Sequence, residues 1–225
     1  MVDSKEQIKK MWKIFAVGTD SVLEIRAIKP RGDHGFKPPK VRHYRVKDFL
    51  SVDHCKEAFE NDSLQLNEEG YNIYTVMNPI RPDFNGPGAA KDADILYRDL
   101  LLIDIDRVGD TSCPASQIEL DAAKSLADQI REYLSESHWP TPVVVMSGNG
   151  YHIYYVMGEL PNDESGTALV RTTLNTLSEN FNNAIVGVDT TVFNAARITK
   201  VPGTIMRKGE ETCDRPYRRA YVCDE

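Results

Sequence analysis

The chain has 225 residues, 41% of them hydrophobic and 27% charged, with a net charge of −7. These values fit a soluble globular protein of one large domain or two closely packed modules, and they exclude fibrous and low-complexity classes. No apolar run approaches the roughly 20 residues needed to span a bilayer, and Met1-Val2-Asp3-Ser4-Lys5-Glu6 is not a secretory signal, so no membrane partner is expected and the cytosol is the default compartment.

Ile8, Met11, Trp12 and Phe15 recur at helical spacing and predict a first helix over residues 5 to 15. Residues 22 to 28 alternate as a strand. Residues 29 to 40 carry three prolines and two glycines and read as an extended loop. A helix is expected over residues 46 to 60, and a strand over the aromatic and β-branched residues 71 to 77. Asn85-Gly86-Pro87-Gly88 marks a break. Beyond it, Leu100 to Asp106 reads as a buried strand ending in acids, and Ile118, Ala122, Leu126, Ile130 and Tyr133 give a long amphipathic helix. Residues 142 to 146 and 151 to 157 are strands joined by the tight turn Ser147-Gly148-Asn149-Gly150, since Asn-Gly is a strong hairpin signal. Val170, Leu174, Leu177 and Phe181 give a second helix, and a last short strand is expected over residues 217 to 223.

Residues 96 to 225 therefore read strand, helix, strand, strand, helix, strand. The expected class is α+β: an RRM-like (ferredoxin-like βαββαβ) catalytic sheet over residues 96 to 225, with an N-terminal α/β module over residues 1 to 95 packed against it. The whole chain then forms a single catalytic unit.

Charge is unevenly placed. Residues 26 to 47 hold eight Lys or Arg against the single acid Asp33, and residues 197 to 219 hold seven against three acids. Such windows are either solvated loops or the grip of a nucleic-acid backbone. Cys55, Cys113, Cys213 and Cys223 show no zinc spacing and read as free thiols, although Cys213 and Cys223 are close enough in sequence to meet across a turn.

Asp104 and Asp106 sit two apart on a strand, so their side chains share a face. Two such carboxylates can share a pair of divalent cations. Taken alone, Asp-x-Asp equally fits a strand that ends in solvent. His152 follows the glycine turn, where backbone N–H groups and an imidazole can hold a phosphate; a hydrogen-bonded histidine at a strand start is the alternative. Asp189 follows an apolar stretch, as a third carboxylate or as a turn residue. Arg197 and Lys200 suit a triphosphate, or a basic surface loop.

Together these segments make a pattern. Leu102-Ile103-Asp104-Ile105-Asp106, then Ser147-Gly148-Asn149-Gly150-Tyr151-His152-Ile153-Tyr154-Tyr155, then Val188-Asp189, then Ala196-Arg197-Ile198-Thr199-Lys200-Val201-Pro202-Gly203-Thr204 resemble the archaeo-eukaryotic primase superfamily, in particular its primase-polymerase branch in plasmids, phages and mobile elements. Gly70-Tyr71-Asn72-Ile73-Tyr74 and Asn78-Pro79 are also similar to that branch, so the likeness covers about residues 70 to 204. One departure is Gly150, where the family often has Ser two positions before its His; members with Ser-Gly-x-Gly-x-His share it.

The resemblance implies a template-dependent nucleotidyltransferase, a DNA primase or DNA-directed polymerase acting by two-metal catalysis. The residues matching Asp104, Asp106 and Asp189 would be catalytic and hold two divalent cations, Mg²⁺ or Mn²⁺. Those matching Ser147, Gly148, His152, Arg197 and Lys200 would bind the nucleotide. Arg31, Lys37, Lys40 and Arg42, from the first basic window, are the expected nucleic-acid contacts. Implied partners are a single-stranded DNA template and primer, nucleoside triphosphates, and a helicase in cis or in trans. Two other readings of the residues remain: another two-metal phosphoryl-transfer enzyme such as a nuclease, and a catalytically inactive nucleic-acid-binding replication module.

Overall fold

The computed structural model describes residues 3–30 and 37–223. The chain opens with helix α1 (Ser4–Met11), capped by the Asp3 carboxylate accepting the Lys5 amide. Strands β1 (Val22–Ile28) and β2 (Lys40–Arg45) follow, then helix α2 (Val52–Glu68) and β3 (Asn72–Val76). The second half runs β4 (Arg98–Arg107), α3 (Gln117–Glu136), β5 (Val143–Met146), β6 (Tyr151–Leu160), α4 (Glu164–Phe181) and β7 (Val186–Val188). It closes with β8 (Ile198–Lys200), β9 (Ile205–Met206), β10 (Arg218–Arg219) and β11 (Tyr221–Val222).

These strands form a four-stranded sheet in the order β2-β1-β3-β8 and a five-stranded sheet in the order β11-β5-β6-β4-β7, beside the small β9–β10 pair. Among the described residues the strand pairings are antiparallel, and alternate residues of each strand face opposite ways. In the first sheet Ile25, Ala27 and Ile73 pack with Phe59, Cys55 and Leu66 of α2 and with Ile8 and Met11 of α1. In the second, α3 and α4 share one core with Ile103, Ile105, Val145 and Ile153. α3 starts on a capping box, Ser116 and Glu119 each satisfying a backbone N–H of the other's end. The two halves interlock: β8, from the second half, completes the first sheet, and β11 lies against α1 through Gln7 Oε1, which accepts the Val222 amide at 2.7 Å.

The structure is a mixed α/β protein, as expected, with differences in detail. Helix α1 ends at Met11, short of the expected residue 15. The 40–45 stretch is a strand. Helix α2 begins at Val52 because Ser51 caps it, and it continues to Glu68 because Leu66 and Asn67 are buried. α3 buries Leu120, Ala123, Leu126, Ala127, Ile130 and Leu134, leaving Ile118 74% exposed. The edge of the sheet beside β4 is taken by β7, which the sequence pattern shows only as an apolar stretch, whereas the expected strand near residue 220 is split and lies on the opposite edge beside β5. The cysteines are all free thiols.

Candidate active site

Strand β4 places Asp104 and Asp106 on the face opposite α3 and α4, with Ile103 and Ile105 fully buried on the helix side. Asp104 stands in register with His152 of β6, and His152 Nε2 lies 3.4 Å from Asp104 Oδ1. The third acid arrives on β7: the Asp189 amide donates to the Asp104 carbonyl at 2.8 Å. Three neighbouring strands thus bring Asp104, Asp106, His152 and Asp189 to one end of the sheet.

The turn between β5 and β6 is seated directly on the acidic strand. A side chain at Gly150 would run into the Ile105 carbonyl, so only glycine lets the turn approach this closely. Gly148 has φ 108° and abuts Met206, where a Cβ has no room. Ser147 closes the turn, its amide and hydroxyl both donating to the Gly150 carbonyl, at 2.9 and 3.2 Å. Asn149 fixes the turn from outside by accepting the Ala115 amide at 2.9 Å. Ser147 therefore shapes the turn, and its hydroxyl is engaged within it.

His152 is buried and held from behind. Its Nδ1 is 3.0 Å from the Tyr154 hydroxyl and 3.1 Å from the Thr199 hydroxyl, and those two hydroxyls also bond each other. Either hydroxyl can donate to Nδ1, which leaves the ring proton on Nε2, the nitrogen turned toward Asp104.

The charges are strongly coupled. Burial acts to raise the Asp104 carboxyl, but His152, Arg197 and Lys208 outweigh it and hold this acid below its ordinary value. Burial and the like charge of Asp104 push Asp106 up. Asp189 turns its Oδ1 to the Thr191 amide and hydroxyl, at 2.8 and 2.7 Å. Among the described residues no three His, Cys, Asp or Glu side chains stand close enough to hold a metal ion as placed. Arg197 donates to the Thr191 carbonyl at 2.6 Å and leaves its Nε buried without a partner. Lys200 is buried beside the Tyr74 ring.

No protein-family model matches the chain, and no curated protein sequence does. Solved structures do. The primase-polymerase (PrimPol) AEP domain of cyanophage S-2L superposes with a TM-score of 0.57 at 16% identity, covering 98% of this chain and 89% of that one. The polymerase domain of Mycobacterium tuberculosis ligase D, solved in complex with DNA, gives a TM-score of 0.52 at 13% identity, covering 95% of this chain and 79% of that one. The chain shares the fold of these two domains.

Two of the expected nucleic-acid residues, Lys40 and Arg42, are held in ion pairs. Lys40 pairs with Glu69 at 3.1 Å and lies over the Tyr71 ring, and Arg42 pairs with Asp62 at 2.7 Å. Lys37 is exposed, and Arg31 lies outside the described residues. The second basic window separates into distinct tasks. Arg215 grips Glu119 through two hydrogen bonds of 2.7 and 3.0 Å, and Arg218 donates to the Ala115 carbonyl, so both clamp the C-terminal segment onto the start of α3. Arg107, which follows Asp106, donates to the same Glu119 at 3.3 Å.

Lys208, Thr199 and Tyr74 are site residues that the sequence did not single out. Lys208 adds positive charge felt by Asp104 and Asp106. Tyr74, pushed up to about 12 by burial and by Asp104, lines the same region from β3. The available signals were the basic window for Lys208 and the two quoted motif segments for Thr199 and Tyr74. No helix among the described residues is long and apolar enough to cross a membrane.

Proposed function

We propose that the chain is a template-dependent nucleotidyltransferase of the primase-polymerase kind, making or extending nucleic-acid strands from nucleoside triphosphates. The observation that carries the reading is His152, in register with Asp104 at 3.4 Å, at the sheet end where Asp106 and Asp189 also arrive. An acid cluster that can hold divalent cations, beside an imidazole on a glycine turn, suits a triphosphate, and both structural neighbours are polymerase domains by description. The segment β5-β6-β4-β7 is read as an RRM-like catalytic sheet with β11 added at its edge, because that strand order is the one a βαββαβ chain adopts. Residues 96–225 would be the catalytic module and residues 1–95 the N-terminal module, joined through β8. The cyanophage origin of one neighbour supports a role in replicating a phage, plasmid or other mobile element. The helicase implied by the sequence resemblance has no support in either comparison.

The donor set fits hard divalent cations. Asp104 and Asp106 offer carboxylate oxygens, and Asp106 is pushed toward its protonated form by burial and by its neighbour's charge, a condition a cation relieves. Asp104, Asp106 and Asp189, once its side chain turns from Thr191, would hold Mg²⁺ or Mn²⁺. When bound, these ions supply activation of the attacking hydroxyl and neutralisation of the departing pyrophosphate. The chain's own residues position the reactants and offset charge. His152 Nε2 offers a proton to a phosphate oxygen while Tyr154 and Thr199 fix its ring. Arg197 and Lys208 set positive charge beside the acids. Lys37, Lys40 and Arg42 are the proposed template contacts, with Lys40 and Arg42 exchanging their surface carboxylates for phosphates.

The test supplies primed and unprimed single-stranded DNA, labelled nucleotides, and Mg²⁺ or Mn²⁺, and compares the protein with Asp104→Ala/Asp106→Ala. Extension by the wild type alone is the expected result. Absence of extension in every combination refutes the proposal, and extension only from a primer retains polymerase activity while removing priming.

A further inference from the structure

After α3 the chain enters β5 through Trp139-Pro140-Thr141-Pro142. Pro142 has no N–H, so a neighbouring strand can draw no hydrogen bond from it. The C-terminal segment covers only the far part of β5. Among the described residues its last bond there is the Cys223 amide donating to the Val144 carbonyl at 2.8 Å. Two cavities of about 320 Å³ each open along this free edge, and Arg131 of α3 and Pro142 line both. In the first, Lys10 and Lys13 from the end of α1 join Arg131 around the apolar Val143, Val144 and Val222, and no acid lines it among the described residues. In the second, Trp139 and Tyr155 meet edge to face at 5.1 Å, with Asp128 and Glu132 beside them.

Arg131, between the two cavities, has donors to spare. Its Nη1 lies 3.6 Å from Asp128 Oδ1, beyond hydrogen-bond reach, and its Nε is buried without a partner. A buried guanidinium N–H without an acceptor is unfavourable, and an anion entering beside it removes that cost. The charge pattern selects the kind of anion. A nucleic-acid strand carries a phosphate at every step, so its next charges would meet Asp128 and Glu132 just beyond Arg131. A peptide can confine its carboxylates to one end and present an apolar side chain at the other. Two linked cavities, one cationic and one aromatic, match an extended chain of that kind.

We propose that this groove docks an extended acidic peptide of a partner protein, its carboxylates beside Lys10, Lys13 and Arg131 and an apolar side chain beside Trp139. The groove lies at the start of β5, and the glycine turn beside the acids lies at the other end of the same strand. The docking site does not depend on the polymerase reading.

The experiment uses the full chain and a fluorescein-labelled peptide in which a run of aspartates is followed by a pair of phenylalanines. Fluorescence anisotropy should show binding that weakens as salt is added. Lys13→Glu and Arg131→Gln should each lower the affinity about fivefold, the upper range for an exposed ion pair. Lys47→Glu, an exposed lysine that lines neither cavity, should leave it unchanged. A peptide of aspartates alone should bind more weakly, because its trailing charges meet Asp128 and Glu132. The half-buried Cys223 thiol, which lines the first cavity, reports on the wild type without any variant. Bound peptide should slow its alkylation by iodoacetamide, followed by peptide mapping, and leave the exposed Cys213 labelled at its former rate. No binding, equal affinity in wild type and both groove variants, or an unprotected Cys223 overturns the proposal. A single-stranded oligonucleotide that displaces the peptide and itself binds more weakly to both variants also overturns it, by making the groove a nucleic-acid contact.

Discussion

Gly150→Ala tests how the turn and the acidic strand are joined. A Cβ at Gly150 would collide with the Ile105 carbonyl oxygen, and it would lie 3.2 Å from that carbonyl carbon and 3.4 Å from Asp106 Cα. Nonbonded heavy atoms settle at roughly 3.5–4.0 Å, so the turn must retreat by about 1 Å. The obstacle is backbone in the middle of a sheet, with no flexible side chain to swing aside. Overpacking of this kind costs about 1–3 kcal/mol. Displacing Gly150 also strains the bonds from Ser147 to its carbonyl, worth about 1 kcal/mol more. The total is about 3 kcal/mol, which for a domain of this size lowers the melting temperature by about 6–12 °C. Gly158→Ala is the control: it lies in β6, the strand that follows the turn, with φ 69° and open space around it, so it bears only the left-handed backbone cost of about 1–2 kcal/mol. Thermal melts by circular dichroism and a primer-extension assay read the outcome. Gly150→Ala should melt well below Gly158→Ala and lose most activity, because the same displacement moves His152 relative to Asp104. A melting temperature within about 2 °C of wild type, with full extension, would refute the reasoning.

Three further outcomes follow from the electrostatics and hydrogen bonds of the site. Asp106 is raised by burial and by Asp104, so its folded form opposes ionisation at neutral pH; Asp106→Asn should raise the metal-free melting temperature at pH 7, have little effect near pH 3, and abolish extension. Glu119 is lowered to about 2 by its bonds to Arg215, so the stability it contributes is present above its unfolded value near 4.5 and lost as the pH falls through about 2. Glu119→Gln should therefore melt lower than wild type at pH 7, with the gap closing between pH 4.5 and 2 in a series of thermal melts. Tyr154→Phe removes one of the two hydroxyls behind His152 Nδ1 while keeping the ring packed on Phe15; steady-state kinetics should show a several-fold loss in kcat/KM for nucleotide, and melting should change little.

Most of the second half was legible because its signals are local. The apolar run from Leu100 that ends in Asp104 and Asp106 read as a buried strand with its two acids on one face, and β4 has that form. The Asn-Gly turn and the apolar repeat of α4 are likewise written in adjacent residues. β1 was legible for the same reason, its alternation giving the observed span. The order of the motifs along the chain was enough to place Asp104, His152 and Asp189 in one reading.

What the sequence left open was decided by partners distant along the chain. β2, Lys-Val-Arg-His-Tyr-Arg, is too polar to announce itself as a strand; its cations are met by Glu69 and Asp62 of the α2 region, and His43 by Glu24 across the sheet. The short β7 reads as a strand only because β4 offers it an open edge. The two basic windows looked alike in composition, yet contacts made in three dimensions assign their members to different work. Arg215 and Arg218 are clamps on α3, Lys208 acts on the acids, and Arg207 and Arg219 act on the buried Lys200. Composition counts charges, whereas burial and the distance between side chains determine what each charge does, and those quantities exist only once β8, β9 and β10 have folded back against the first sheet.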